Sequence, residues 1–139
     1  MSAPKLLSIP SIASAGARAA IDAAVEEAVR MGKKMTIAVV DAGGELLALH
    51  RMDGAVLVSI DAAIIKAKTV VRTSVASGML QEMLHAGNFS LMLLPGAVAM
   101  GGGLPIVHDG AIIGAIAASG DTVENDERAS RAGIAAALL

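Results

Sequence analysis

Apolar side chains recur along this chain with two periods, one helical and one of strands. From Ser11 to Met31 the positions Ile12, Ala15, Ala19, Val25, Ala28 and Val29 recur near helical spacing, and Gly32 stands where a helix C-cap belongs. Met35-Thr36-Ile37-Ala38-Val39-Val40 is rich in β-branched residues and reads as a strand with both faces covered. Asp41 to Gly44 forms a turn, and Glu45 to Arg51 returns as the second strand of a hairpin. In that strand Leu46, Ala48 and His50 share one face, and Leu47, Leu49 and Arg51 the other. Ser59 can cap a helix to about Thr73 whose buried stripe is Ile60, Ala63, Ile64, Ala67, Val70 and Val71. Lys66 falls at the edge of that stripe beside Ala62, Thr69 and Thr73, small side chains that leave room for something to approach. A second helix from about Ser77 to Ala86 buries Met79, Leu80, Met83 and Leu84 and turns Gln81, Glu82 and His85 outward. Phe89 to Met100 is apolar but interrupted by Pro95 and Gly96, which predicts a loop plus a short edge strand.

The clearest local signal follows. Asp109-Gly110 accepts the positive φ angles of a two-residue turn, so its flanks pair as a hairpin with His108 opposite Ala111, Ile106 opposite Ile113 and Leu104 opposite Ala115. The second strand carries no charge on either face and reads as central. Gly120 ends it and Thr122 caps a last helix, with Glu124 and Asp126 in the first turn, where the helix dipole favours negative charge. That helix runs roughly to Leu139 and packs by Ala129, Ala132, Gly133 and Ala136. The order is α-β-β-α-α-β-β-β-α. It predicts one α+β domain over residues 1–139, an antiparallel sheet of about five strands flanked by helices.

Composition adds a constraint on assembly. Of 139 residues, 55% are hydrophobic and 17% charged, more oil than a small monomer can hide, so a homo-oligomer joined by Ala, Val, Leu and Met is expected. The apolar runs fall short of a membrane span of ~20 residues, and a net charge of -2 gives no general pull toward nucleic acid or an anionic membrane. The absence of cysteine excludes disulfides, thiolate metal sites and thiol nucleophiles. Leu6-Leu7-Ser8-Ile9-Pro10 is too short and too interrupted for a signal peptide, which points to the cytoplasm.

Candidate chemistry gathers at a few places. Arg51 and Asp53 stand two apart where a strand ends. They read either as a structural pair that pins the loop or as a ligand site in which Arg51 fixes a carboxylate and Lys66 adds a second cation. Glu82 and His85 form an E-x-x-H on a helix; di-metal bundles need a second such motif, which this chain lacks, so no metal is expected. Gly101-Gly102-Gly103 allows close backbone approach to a strand, helix or ligand, but it feeds a strand without a Gly-Lys-Ser/Thr ending, unlike a phosphate cradle. No nucleophile elbow is present.

Several pieces in order resemble the GlcG/HbpS family, which includes the C-terminal domain of PduO-type proteins. They are Arg51-Met52-Asp53-Gly54, Ser59-Ile60-Asp61 with Lys66-Ala67, Gly102-Gly103 with Leu104-Pro105-Ile106, Gly114-Ala115-Ile116 with Ser119-Gly120, and Glu124-Asn125-Asp126-Glu127. The resemblance implies an antiparallel α+β domain assembled into dimers and up to octamers. It also implies haem or another tetrapyrrole as ligand, or an enzyme of small-acid or aromatic catabolism. Haem ligands occupy no shared motif position in the family, so His50, His85 and His108 all remain candidate axial ligands. Ala117 stands where the family commonly has glycine, and Phe89 is the one ring available to pack a porphyrin. As a binding protein, the chain would use Arg51, Asp53, Lys66, Gly102, Gly103 and Pro105 for its ligand. As a cofactor-independent enzyme, Asp53, Glu82 or His85 would move the proton on a carboxylated metabolite held by Arg51 and Lys66.

Overall fold

The Asp109-Gly110 turn forms as its chemistry dictates, with φ of 48° and 77° at the two residues. Around it, a computed structural model describes residues 2–139. The elements are α1 (Ser14–Arg30), β1 (Thr36–Asp41), β2 (Leu46–Arg51), α2 (Val58–Thr73), α3 (Ser77–His85), a 3-10 turn (Phe89–Leu93), β3 (Gly103–His108), β4 (Ala111–Ser119) and α4 (Val123–Ala136). The strands form one antiparallel sheet in the order β2-β1-β4-β3. Among the described residues it has four strands, not five. The expected edge strand within Phe89–Met100 is absent because side chains satisfy that backbone instead. Thr69 Oγ1 accepts from Val98 N at 2.9 Å, Gln81 Oε1 accepts from Gly101 N at 2.7 Å, and the Arg72 guanidinium donates to Gly96 O.

The hairpin register slips by one residue beyond the turn. His108 faces Ala111 as expected, but Ile106 faces Gly114 and Leu104 faces Ile116, because Ile113 is an extra residue on β4. The bulge has a partner: Ile113 O accepts from Ile12 N at 2.9 Å, tying the start of the chain to the hairpin. A Cβ at Gly114 would lie 2.5 Å from Val40 O, so the strands approach there as only glycine permits.

Helices cover both faces of β1 and β4. On one face α1 and α4 pack against Ile37, Val39, Ile116 and Ala118; on the other α2 packs against Val40, Ala115 and Ala117. The buried line of α1 is Ala17, Ala20, Ile21, Ala24 and Ala28, while Val29 is 64% exposed. The alanines permit close contact with α4, where a Cβ at Gly133 would stand 2.8 Å from Ala20 O. α2 is rolled from its expected orientation. Ser59, Ala62, Ala63, Lys66, Ala67, Thr69 and Val70 are buried, so the small-residue edge faces the sheet and Ile60, Ile64 and Val71 lie partly open. In α3 only Ser77 and Leu80 are buried, and Met79 and Met83 are exposed. Other aliphatics are uncovered in the single chain, among them Leu7, Leu57 (74%) and Leu93 (83%).

Candidate functional site

β3 begins one residue too late to pair with Ala118, and that gap organises a buried polar centre. The register of β3 with β4 starts at Gly103 opposite Ala117, so Ala118 and Ser119 have no strand on that side. Side chains take its place. Ser130 Oγ accepts from Ala118 N at 3.1 Å and donates to Gly102 O at 2.7 Å. Lys66 Nζ donates to Ala118 O at 3.4 Å, Ser119 Oγ at 3.1 Å and Asp126 Oδ2 at 3.2 Å. Lys66, only 4% exposed, thus joins α2 to α4, which pack on opposite faces of the sheet. Asp126 Oδ1 also accepts from Asp121 N at 3.1 Å. Burial pushes the Asp126 carboxyl up from 3.8 to about 6, and the Lys66 ammonium opposes the shift without cancelling it.

The glycines belong to this centre. Gly102 has a φ of 126°, and a Cβ on it would stand 2.6 Å from Ala118 O and 3.1 Å from Lys66 Nζ. Gly103 N donates to Ser77 Oγ at 2.9 Å, and a Cβ there would meet Lys66 O at 2.8 Å. The close approach that the triplet allows is made by the protein itself. Pro105 pairs with Ala115 on edge strand β3, a position that tolerates its missing N–H.

Arg51 and Asp53 lie elsewhere, in the first of two open clefts between α1 and β2. One, of about 490 Å3, is lined by Val25, Val29, Gly32, Lys33, Lys34, His50, Arg51, Met52 and Asp53. A second, of about 510 Å3, is lined by Ser14, Arg18, Ile21 and Asp22 of α1 and by Leu47, Ala48, Leu49 and His50 of β2. His50 lines both, so the two clefts adjoin along α1; Lys33, Lys34, Arg51 and Asp53 line the first, and Arg18 and Asp22 the second. The orientation of His50 follows from register: it pairs with Ile37, whose side chain faces α1. Arg51 and Asp53 form no salt bridge among the described residues, nor do Lys34 and Arg51 with any acid; Lys33 is 3.5 Å from Asp121. Arg51 and Lys66, expected to share one carboxylate, therefore face different surroundings, an open cleft and a buried aspartate.

Glu82 and His85 do come together, in a third cleft of about 380 Å3 between α3 and α4 with Gly78, Gln81, Val123, Glu124, Glu127 and Arg131. Asp53, the other candidate proton carrier, is not among them. His108 is exposed at the hairpin tip, 3.4 Å from Asp109. Among the described residues no group of three or more His, Cys, Asp or Glu is placed to hold a metal ion. No helix among them is long and apolar enough to cross a membrane.

Sequence reasoning missed Lys33, Lys34, Asp126 and Ser130. A signal existed for the last two: Asp126, Ser130 and Gly133 recur at helical spacing beside Ala129, which sets a carboxylate on a buried small-residue stripe.

For haem, the donor set of this α1–β2 groove fits. His50 offers an imidazole nitrogen, Lys34 and Arg51 offer positive charge without an acidic partner, and Val25, Val29, Met52, Ile21 and Leu47 offer apolar walls.

Comparisons with known proteins agree with this fold. A family described as "Haem degrading protein HbpS-like" matches residues 12–135. Protein GlcG of Escherichia coli strain K12 is 37% identical over 103 residues, 74% of this chain and 77% of that protein. Among solved structures, a double mutant of Streptomyces reticuli HbpS has a TM-score of 0.88 at 33% identity, covering 97% of this chain and 92% of that one. The crystal structure of a PduOC:Heme complex has a TM-score of 0.82 at 31% identity, covering 91% and 94%. A match over nearly the whole chain, with a relative of this identity, makes the protein a member of the HbpS-like family.

Proposed function

We propose that the protein binds haem or a related tetrapyrrole in the α1–β2 groove. The observation that carries this reading is His50, which lines both adjoining clefts, the first of which holds Lys34 and Arg51 without acidic partners. An anionic ligand edge, such as a pair of propionates, meets those cations. The planar body would lie against Val25, Val29 and Met52 on one side of His50 and Ile21 and Leu47 on the other, where apolar burial drives association. His50 would supply a ligand to a central metal. The haem complex of a relative and the family's description support the same ligand class. The protein works as a homo-oligomer, which covers aliphatics such as Leu57 and Leu93 that the single chain leaves open.

A hemin titration followed by the Soret band tests this. Saturable binding by the wild type, with loss of the shifted band in His50→Ala and at least about ten-fold weaker binding in the double variant Lys34→Gln with Arg51→Gln, is the expected result. A free-hemin spectrum with the folded wild type contradicts it. A second reading, acid–base chemistry on a carboxylated metabolite, draws on the cleft that brings Glu82 and His85 together beside Arg131. It requires Glu82→Gln to lower turnover of such a compound without altering hemin binding.

A further inference from the structure

We propose that Asp121 sets the affinity of the α1–β2 groove for anionic ligands by holding Lys33 in an ion pair that an incoming carboxylate must displace. The inference rests on the groove being the ligand site. Lys33 lines the basic cleft together with Lys34 and Arg51, but only Lys33 has an acidic partner, with its Nζ 3.5 Å from Asp121 Oδ1. Asp121 reaches the ligand site through that lysine alone, since it does not line the cleft.

Two features make this pair a reversible clasp rather than a permanent link. The Lys33 and Asp121 side chains are 43% and 22% exposed, so water and salt screen the pair and a ligand carboxylate can exchange for it at small cost. Asp121 nevertheless keeps its place when Lys33 leaves. Asn125 Nδ2 donates to Asp121 Oδ2 at 2.6 Å, and the Asp121 amide is held by Asp126 Oδ1 at 3.1 Å, which anchors the β4–α4 turn to the buried Lys66 pair. Hydrogen bonds from Asn125 and the Thr122 backbone hold the Asp121 carboxyl below its ordinary value, so that carboxylate stays charged at neutral pH.

The test is a hemin titration at low ionic strength of the full-length wild type, Asp121→Asn, Lys33→Gln and the double variant. Asp121→Asn tightens binding about two- to five-fold, the worth of one exposed ion pair. Lys33→Gln weakens binding, and Asp121→Asn gives no gain in the Lys33→Gln background because the two residues act through one contact. The gain shrinks in about 0.5 M salt. Equal or weaker binding by Asp121→Asn overturns the clasp while leaving the groove as the ligand site. The same gain without Lys33 also overturns it, by showing a general charge effect. A wild type that binds no hemin overturns the groove reading and the clasp together.

Discussion

Around Lys66 the ammonium has three protein acceptors and no buried side-chain polar atom among the described residues lacks a partner, whereas beside His50 the cations Lys34 and Arg51 have no acidic partner. The first region is closed. A charge taken out of water must be fully satisfied by its surroundings, and Ala118 O, Ser119 Oγ and Asp126 Oδ2 satisfy Lys66. In the second region Lys33 is paired with Asp121, while Lys34 and Arg51 have no acidic partner inside the chain, so their charge remains available to bind. The difference teaches that the buried lysine positions α2, β4 and α4, and that the exposed groove is where the proposed recognition falls.

The largest expected effect comes from breaking the closed region. Lys66→Met leaves Asp126 buried without its cation and lowers stability by about 3–5 kcal/mol in denaturant unfolding at pH 7. Adding Asp126→Leu recovers most of that loss, less the bond to the Asp121 amide. Next is Gly102→Ala, which forces a Cβ against Ala118 O at a positive φ and costs about 2–4 kcal/mol. Both should leave hemin binding intact in the fraction that folds.

A subtler effect is pH dependence. The Asp126 carboxyl binds its proton more tightly in the fold than in the unfolded chain. Its contribution to stability is fully present below pH 3.8 and is lost as pH rises through about 6. Wild-type stability measured against Asp126→Asn therefore falls across that window and is level above it; a level difference across the window breaks the assignment. The smallest effects belong to the groove, where Arg51→Gln and Lys34→Gln change stability by less than about 0.5 kcal/mol while weakening the ligand. A large loss of stability there would erase the contrast.

Features written in neighbouring residues were legible in the sequence. Asp109-Gly110 carries its own turn, Thr122 accepts from Asn125 N at 3.2 Å as a cap should, and β4 reads as central because no charge interrupts it. The Ile113 bulge was not legible, since its free carbonyl is answered by Ile12 from the other end of the chain. Nor was the burial of Lys66. Its small neighbours Ala62 and Thr69 suggested open space, but the group that fills it, Asp126, lies 60 residues further on. Arg51 and Asp53 stood out at a strand end, while Lys33 and Lys34 gain meaning only when the end of α1 is laid beside β2. Glu82 and His85 share a cleft because they sit one helical turn apart, a local fact.

The division of labour between the two regions is tested most directly by amide spectra of the labelled protein with ferric protoporphyrin. Paramagnetic broadening centred on Val25, Val29, Lys34 and His50 to Asp53, with the signals of Gly102, Gly103 and Asp126 retained, is the predicted result. Broadening centred on Gly102 and Asp126, or none at saturating ligand, would contradict it.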